Sequence, residues 1–254
     1  MKIHQLQGHI QSIYLVEYPK KLLLLDGCCR ADISMLEQFI TGNLSRSLTD
    51  LKLIVVTHMH PDHAGAAHQL RKITGCEIAS ANMPKQWYTG LSGRFMHIVD
   101  IILATWVASR MGKARKNLWY SPHLKTDYAL TDQDTLPGFD EWCVLLTTGH
   151  TDRDLSVMHL ASKRIYVADL LVKVKDRFIP PIPVNLPEQY RDSILKVQAL
   201  QPASLMLAHG GEVTLTERDF AHVLTVAPRK AFTIWTPAKN KVKRLLLRKK
   251  ANYY

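Results

Sequence analysis

The sequence predicts an α/β fold, and three observations carry the prediction. Of 254 residues, 46% are apolar, enough for a buried core and too many for a disordered polymer. Short all-apolar runs alternate along the chain with segments of helical period. Several of those runs end on Asp, Thr or His, as they do on scaffolds that carry polar groups where strands meet loops.

Residues 10–16 and 22–25 read as two strands joined at Tyr18-Pro19-Lys20, the second an unbroken run of leucines that ends at Asp26-Gly27. Ile33, Leu36, Phe39 and Ile40 fall at helical spacing over 32–40, with Gly42 as the stop. Leu53-Ile54-Val55-Val56 is a buried strand ending on Thr57-His58. A helix over 64–73 and a strand over 76–79 follow. Later strands are predicted at 143–146, 155–160, 164–168 and 205–208, and helices at 188–200 and 217–226. No internal repeat or low-complexity linker interrupts the series. The expected organisation is one domain over 1–228 with a helical insertion at about 83–125, then a basic tail over 229–254.

The net charge of +11 is unevenly placed. From Phe220 to the end there are nine basic residues and no acid. From Met83 to Lys125 there are seven against the single acid Asp100, and the rest of the chain sums to −4. The body is therefore mildly acidic, and two appendages make the protein basic. No run approaches the roughly 20 uninterrupted apolar residues of a membrane span. The first residues lack the apolar stretch and cleavage site of a secretory signal. Cys28, Cys29, Cys76 and Cys143 form neither a C-x-x-C pair nor a regular framework. Reduced thiols and a cytoplasmic location are the expectation.

The strongest signal is His58-Met59-His60-Pro61-Asp62-His63, directly after a buried strand. A single histidine there would be read as a hydrogen-bonded or surface ring. Three at this spacing with an aspartate among them point to metal, and imidazole with carboxylate suits zinc, iron and manganese occupying similar donor sets. More donors follow other strands: His150 after Thr147-Thr148-Gly149, Asp169 closing 165–168, and His209 before Gly210-Gly211. Structural zinc closes its shell with four Cys or His, whereas this set leaves room for water and substrate.

Together these residues resemble the metallo-β-lactamase superfamily, with Asp26, the His58/His60/Asp62/His63 cluster, His150, Asp169 and His209 matching its five ordered motifs over residues 10 to about 215. The resemblance implies a four-layer αβ/βα sandwich with the metal site along one edge. It implies that His58, His60 and His150 hold one metal, that Asp62, His63 and His209 hold a second, and that Asp169 bridges them. Two zinc ions are the implied cofactors. Asp26 would orient the ligand imidazoles from behind, and Asp62 would also take or steer a proton. Two such metals share a water whose pKa falls towards neutrality, and the resulting hydroxide attacks a carbonyl or a phosphorus. The segments around His150 and His209 resemble the glyoxalase II and lactonase branches, although Leu170, Leu171 and Val172 stand where lactonases place a tyrosine. The expected function is hydrolysis of a small ester, thioester or lactone, with or without an acyl chain. The rivals are a phosphodiesterase on phospholipid or nucleic acid, and a metal-binding or membrane-associated protein without turnover.

Residues 95–109 of the insertion form an apolar segment between Arg94 and Arg110. Phe95, Val99, Ile102 and Trp106 share one helical face, and His97, Asp100 and Ala104 make a narrow, less apolar strip. Fifteen helical residues span about 22 Å, short of the hydrocarbon core at about 30 Å. The apolar face is expected to pack on the domain or on a second subunit, or to roof the metals with its outer side towards acyl chains or membrane. The tail over 239–250 interleaves cations with Leu245–Leu247 and invites contact with an anionic membrane surface. Tyr253 and Tyr254 could stack on nucleic-acid bases, but no recognised nucleic-acid motif accompanies them.

Overall fold

Leu22, Leu23, Leu24 and Leu25 are all buried, and they divide by parity. Leu22 and Leu24 belong to a core packed beneath helices, Leu23 and Leu25 to a core between two sheets. Both faces of the strand are covered, so its sequence is an unbroken apolar run rather than an alternation. The same parity separates Ile54 and Val56 from Leu53 and Val55.

The computed structural model describes residues 1–233, and the basic tail predicted over 229–254 lies largely outside them. The first sheet has six strands in sequence order: β1 (Lys2–Gln7), β2 (Ser12–Glu17), β3 (Leu22–Leu25), β4 (Leu51–Val56), β5 (Glu77–Ala81) and β6 (Tyr128–Leu130). Strands β3 to β6 are mutually parallel, and β1–β2–β3 is an antiparallel meander. The second sheet is built from β7 (Thr135–Leu136), β8 (Phe139–Leu146), β9 (Leu155–His159), β10 (Arg164–Val174), β11 (Arg177–Ile179), β12 (Ser204–His209) and β13 (Gly211–Val213). Its order is β13-β12-β10-β9-β8-β7, with β11 paired to β10.

Helices α1 (Ile33–Gln38), α2 (Pro61–Ala64), α3 (Ala67–Thr74) and α4 (Gly90–Arg110) belong to the first half of the chain, and α5 (Pro187–Ala199) and α6 (Glu217–Val226) to the second. Leu36 and Leu70 join the core on the outer face of the first sheet, and Ile194 and Phe220 the core on the outer face of the second. The layers run helix, sheet, sheet, helix, the four-layer αβ/βα sandwich with a helical insertion.

Four local features depart from the sequence reading, each for a physical reason. The helix predicted over 64–73 is broken, because the Ala66 amide donates to the carbonyls of Gly27 and Cys28 instead of continuing a helical ladder. That break ties the loop after β3 to the histidine loop. Asp169 does not close its strand. β10 runs on to Val174, and Asp169 follows an irregularity where Ala168 adopts φ +46° and the register to β12 shifts. Such a bulge turns one side chain aside while pairing resumes beyond it.

Helix α4 has 21 residues, not fifteen, which is about 31 Å of helix. Its length and mean hydropathy (1.3 over an 18-residue window) therefore do not rule out a span, as the shorter prediction did. Its orientation is also the reverse of one expectation. His97, Asp100, Ala104 and Ala108 face the body, while Phe95, Ile98, Ile102 and Trp106 face outward. Polar anchors cause this: the Tyr88 hydroxyl donates to Asp100 (2.8 Å), and the His97 ring packs edge-on against Tyr88 and tilted against Tyr120. The fourth departure is β1, whose sequence KIHQLQ presents no continuous apolar face. All four cysteines are buried and unbridged.

Candidate metal centre

The ends of β3, β4, β8 and β12 and the irregularity within β10 bring their polar residues to one edge of the sandwich. Nε2 of His58 and Nε2 of His150 each lie 3.0 Å from Nδ1 of His60. Asp169 Oδ2 is 4.0 Å from His58 Nε2 and 3.5 Å from His150 Nε2, while its Oδ1 is 3.3 Å from His63 Nε2 and 3.4 Å from His209 Nε2. Asp62 Oδ2 completes the second group, 3.1 Å from His209 Nε2 and 3.5 Å from His63 Nε2. Two clusters result, His58/His60/His150/Asp169 and Asp62/His63/His209, with donor atoms in each within 4.8 Å of one another.

These donors fit two cations. A tetrahedral zinc shell with Zn–N of about 2.0–2.1 Å has ligand–ligand edges of about 3.3 Å, and the observed separations cluster around that value. Buried His63 Nε2 and Asp169 Oδ1 have no hydrogen-bond partner, although buried polar atoms ordinarily do. Their unmet capacity points into the second cluster.

The backs of the rings are tied down. Asp26 Oδ2 accepts from His63 Nδ1 (2.6 Å), the Thr57 hydroxyl (2.7 Å) and the Tyr166 hydroxyl (2.9 Å), and Oδ1 accepts from the Thr57 amide (3.1 Å). The Thr57 proton being spent on Asp26, its oxygen accepts from His58 Nδ1 at 3.1 Å. His150 Nδ1 donates to the Pro183 carbonyl (2.7 Å) and His209 Nδ1 to the Ile10 carbonyl (3.0 Å). Four imidazoles thus carry their proton on Nδ1 and leave Nε2 free to ligate, as outer partners do at metal sites. Tyr120 donates to the Met59 carbonyl and so holds the histidine loop from the insertion side.

The electrostatics favour positive charge in the second cluster. Burial opposes the charged forms of Asp62 and Asp169, yet His63 and His209 hold both carboxyls well below their usual range. Burial also disfavours a charged His63, but Asp62, Asp169 and Asp26 outweigh it and raise its pKa well above the ordinary value; His209 is raised in the same way by Asp169 and Asp62. In the first cluster burial and neighbouring imidazoles push His58 far down and His60 to about 3.

A cation entering the second cluster must therefore displace protons that His58 and His60 do not hold. On acidification from pH 8, metal should leave the Asp62/His63/His209 position first, its apparent affinity falling about tenfold per pH unit for each competing proton. Equilibrium dialysis against a pH series should show two-step loss. Simultaneous loss, or the reverse order, would contradict the assignment.

Gly149 sets up the His150 ring. Its φ is +143°, and a Cβ there would run into Tyr190 Cα. Gly149→Ala should displace His150 and lower turnover about a hundredfold, as misplacement of about 1 Å does in active sites. Steady-state kinetics beside a metal assay would check this, and wild-type values in both would count against it.

The donors open onto a cleft of about 150 Å³, also lined by Ile10, Pro61, Asp100, Leu103, Ala104, Val107, Ile182 and Pro183. Asp26, His58, His60, Asp62, His63, His150, Asp169 and His209, all read from the sequence, meet here. Thr57 and Tyr166 were not anticipated. Helix α4 borders the cleft through Asp100, Leu103, Ala104 and Val107, where the expectation of a roof over the metals put it.

A four-layer αβ/βα sandwich carrying a paired His/Asp centre at one edge defines a metal-dependent hydrolase with a dinuclear site. The chain belongs to the metallo-beta-lactamase superfamily, whose profile matches residues 6–209. It is 22% identical over 239 residues to "Probable metallo-hydrolase YflN" of Bacillus subtilis (strain 168), covering 88% of each chain. Among solved structures it is similar to the archaeal superfamily protein ST1585 from Sulfolobus tokodaii (TM-score 0.63, 19% identity, 88% of this chain and 84% of that one). It also resembles the family protein TTHA1429 from Thermus thermophilus (TM-score 0.66, 19% identity, 88% and 78%). At such identities the structural likeness concerns the fold.

Proposed function

We propose that the protein hydrolyses a small, uncharged carboxylic ester, thioester or lactone. The observation that carries this reading is the cleft lining. Beyond the candidate ligands it consists of Ile10, Leu103, Ala104, Val107, Ile182 and prolines, with Asp100 the added charge and no Lys or Arg. Such walls suit an apolar acyl or ring portion and offer a phosphodiester no cation apart from the metals. The name of the Bacillus relative, a probable metallo-hydrolase, agrees with the reaction type.

In this reading His58, His60 and His150 hold one divalent metal, Asp62, His63 and His209 the other, and Asp169 both, with zinc the metal that suits the donors. When bound, the pair supplies a strong nucleophile from water at neutral pH and polarises the carbonyl under attack. The rest falls to the protein. Asp62, whose carboxylate the metal would hold ionised, orients the attacking water and accepts its proton. Leu103, Val107 and Ile10 exclude bulk water and hold the acyl portion. Asp100, raised to about 6 by burial and hydrogen-bonded by Tyr88, lines the same cleft and is suited to hand a proton to a leaving oxygen or sulfur.

Metal-loaded protein assayed on a lactone and thioester panel beside bis(p-nitrophenyl) phosphate tests the reading. Carbonyl substrates should be turned over at least about a hundredfold more efficiently in kcat/KM, a discrimination within reach of pocket contacts. A preference for the phosphodiester would overturn it.

A further inference from the structure

We propose that the outer face of α4 is a docking element for an anionic membrane surface. Leu91, Phe95, Ile98, Ile102 and Trp106 recur every three or four residues along one side of the helix and are 86%, 57%, 45%, 61% and 60% exposed. They form an apolar stripe about 22 Å long. Monomeric soluble proteins rarely expose contiguous apolar surface of this kind without using it.

The charge around the stripe identifies what it meets. Arg94 and Arg110 flank it, and Lys113, Arg115 and Lys116 follow on the next segment. The one acid of the insertion, Asp100, faces inward and accepts from Tyr88. Among the described residues none of these five cations pairs with a carboxylate; the Arg and Lys ion pairs lie elsewhere, as at Arg71–Asp127 and Arg164–Glu212. The Arg110 guanidinium sits 5.9 Å over the Trp106 ring, a cation beside an amphipathic aromatic of the type that marks membrane interfaces. Between the stripe and the cations lies a cavity of about 510 Å³, bounded by Ile102, Trp106 and Leu118 and by Lys113, Arg115 and Lys116. Its apolar wall and cationic rim match the upper acyl methylenes and the phosphate of an anionic lipid.

Other occupants fit less well. In an antiparallel two-fold pairing through this face, Arg94 of one copy would meet the Arg110–Lys116 end of the other, cation against cation. The chain beyond residue 233 carries cations and no acid, so it does not complement the rim either. Spanning is disfavoured because His97, Asp100, Ala104 and Ala108 are buried against the body. The helix therefore lies in the interface plane. Asp100, Leu103, Ala104 and Val107 on its inner side line the metal cleft, which docking would bring within one helix diameter, about 10 Å, of the headgroups. The docking itself does not depend on which bond the centre cleaves.

Co-sedimentation of the full chain with vesicles tests this. Wild type should pellet with phosphatidylglycerol/phosphatidylcholine vesicles, weakly with phosphatidylcholine alone, and less as salt rises. The double variant Ile102→Glu/Trp106→Glu changes exposed positions only. It should retain wild-type circular dichroism and partition at least about tenfold less. Lys113→Glu/Lys116→Glu should weaken the preference for the anionic lipid without abolishing it, since the cations over 239–250 remain. Three results would overturn the proposal: no binding by wild type, unchanged binding by the Ile102→Glu/Trp106→Glu variant, or a wild-type dimer in light scattering that this variant dissociates.

Discussion

Asp169→Ala should abolish turnover and release metal from both positions. Asp169 is the one side chain whose two oxygens face different clusters, Oδ2 towards His150 and His58, Oδ1 towards His63 and His209. Its loss removes a donor from each position and the negative charge that offsets two cations. Losing an outer-shell partner costs 10- to 100-fold in metal affinity or activity, so removal of the shared ligand should exceed about 100-fold. Metal analysis and kcat on the same preparation are the readout. The metal-free protein supplies a control: without Asp169 the raised pKa values of His63 and His209 should both fall, because each is held up partly by this carboxylate. Retained turnover would remove Asp169 from the centre.

Asp26→Ala should damage both the fold and the second metal position, although Asp26 touches no metal in this arrangement. Its carboxylate accepts from His63 Nδ1, the Thr57 amide and hydroxyl, and the Tyr166 hydroxyl, all in a buried setting. Alanine would leave these donors without an acceptor. Each buried unsatisfied donor costs about 1–3 kcal/mol, and breaking a buried charged pair costs roughly 3–5 kcal/mol. A stability loss of at least about 3 kcal/mol in urea unfolding is expected. Asp26→Asn separates packing from orientation, because its size is kept while one acceptor becomes a donor facing His63. That variant should fold and lose 10- to 100-fold in affinity at the Asp62/His63/His209 position. Wild-type metal affinity in Asp26→Asn would show that the ring needs no such anchor.

Much of this was legible in the sequence where burial and chemistry leave a local signature. Strands covered on both faces read as Leu22–Leu25 and Leu53–Val56 because no position on them tolerates a polar residue. The histidine loop was legible because its donors are consecutive, and the distant donors because each follows an apolar run. What escaped was set by tertiary contact. β1 has no apolar face, and its pairing with β2 holds it in place. The break at Gly65–Ala66 depends on carbonyls from Gly27 and Cys28, nearly forty positions away. The inversion of α4 was hidden for the same reason. Hydrophobicity pointed its stripe inward, but the surface beneath presents the hydroxyls of Tyr88 and Tyr120, and these receive Asp100 and His97 from the helix. Of the two basic segments only the insertion is fully described, and its Arg94, Arg110, Lys113, Arg115 and Lys116 lie on or beside α4; the cations over 239–250 lie outside the described residues.

The claim on which the rest depends is a dinuclear centre at the edge of the sandwich. The metal-to-protein ratio of the full-length protein after loading and gel filtration tests it most directly. Two equivalents per chain are expected, falling to one in Asp62→Ala with turnover lost. A ratio of one or none in the wild type, or full activity with Asp62→Ala, would contradict it.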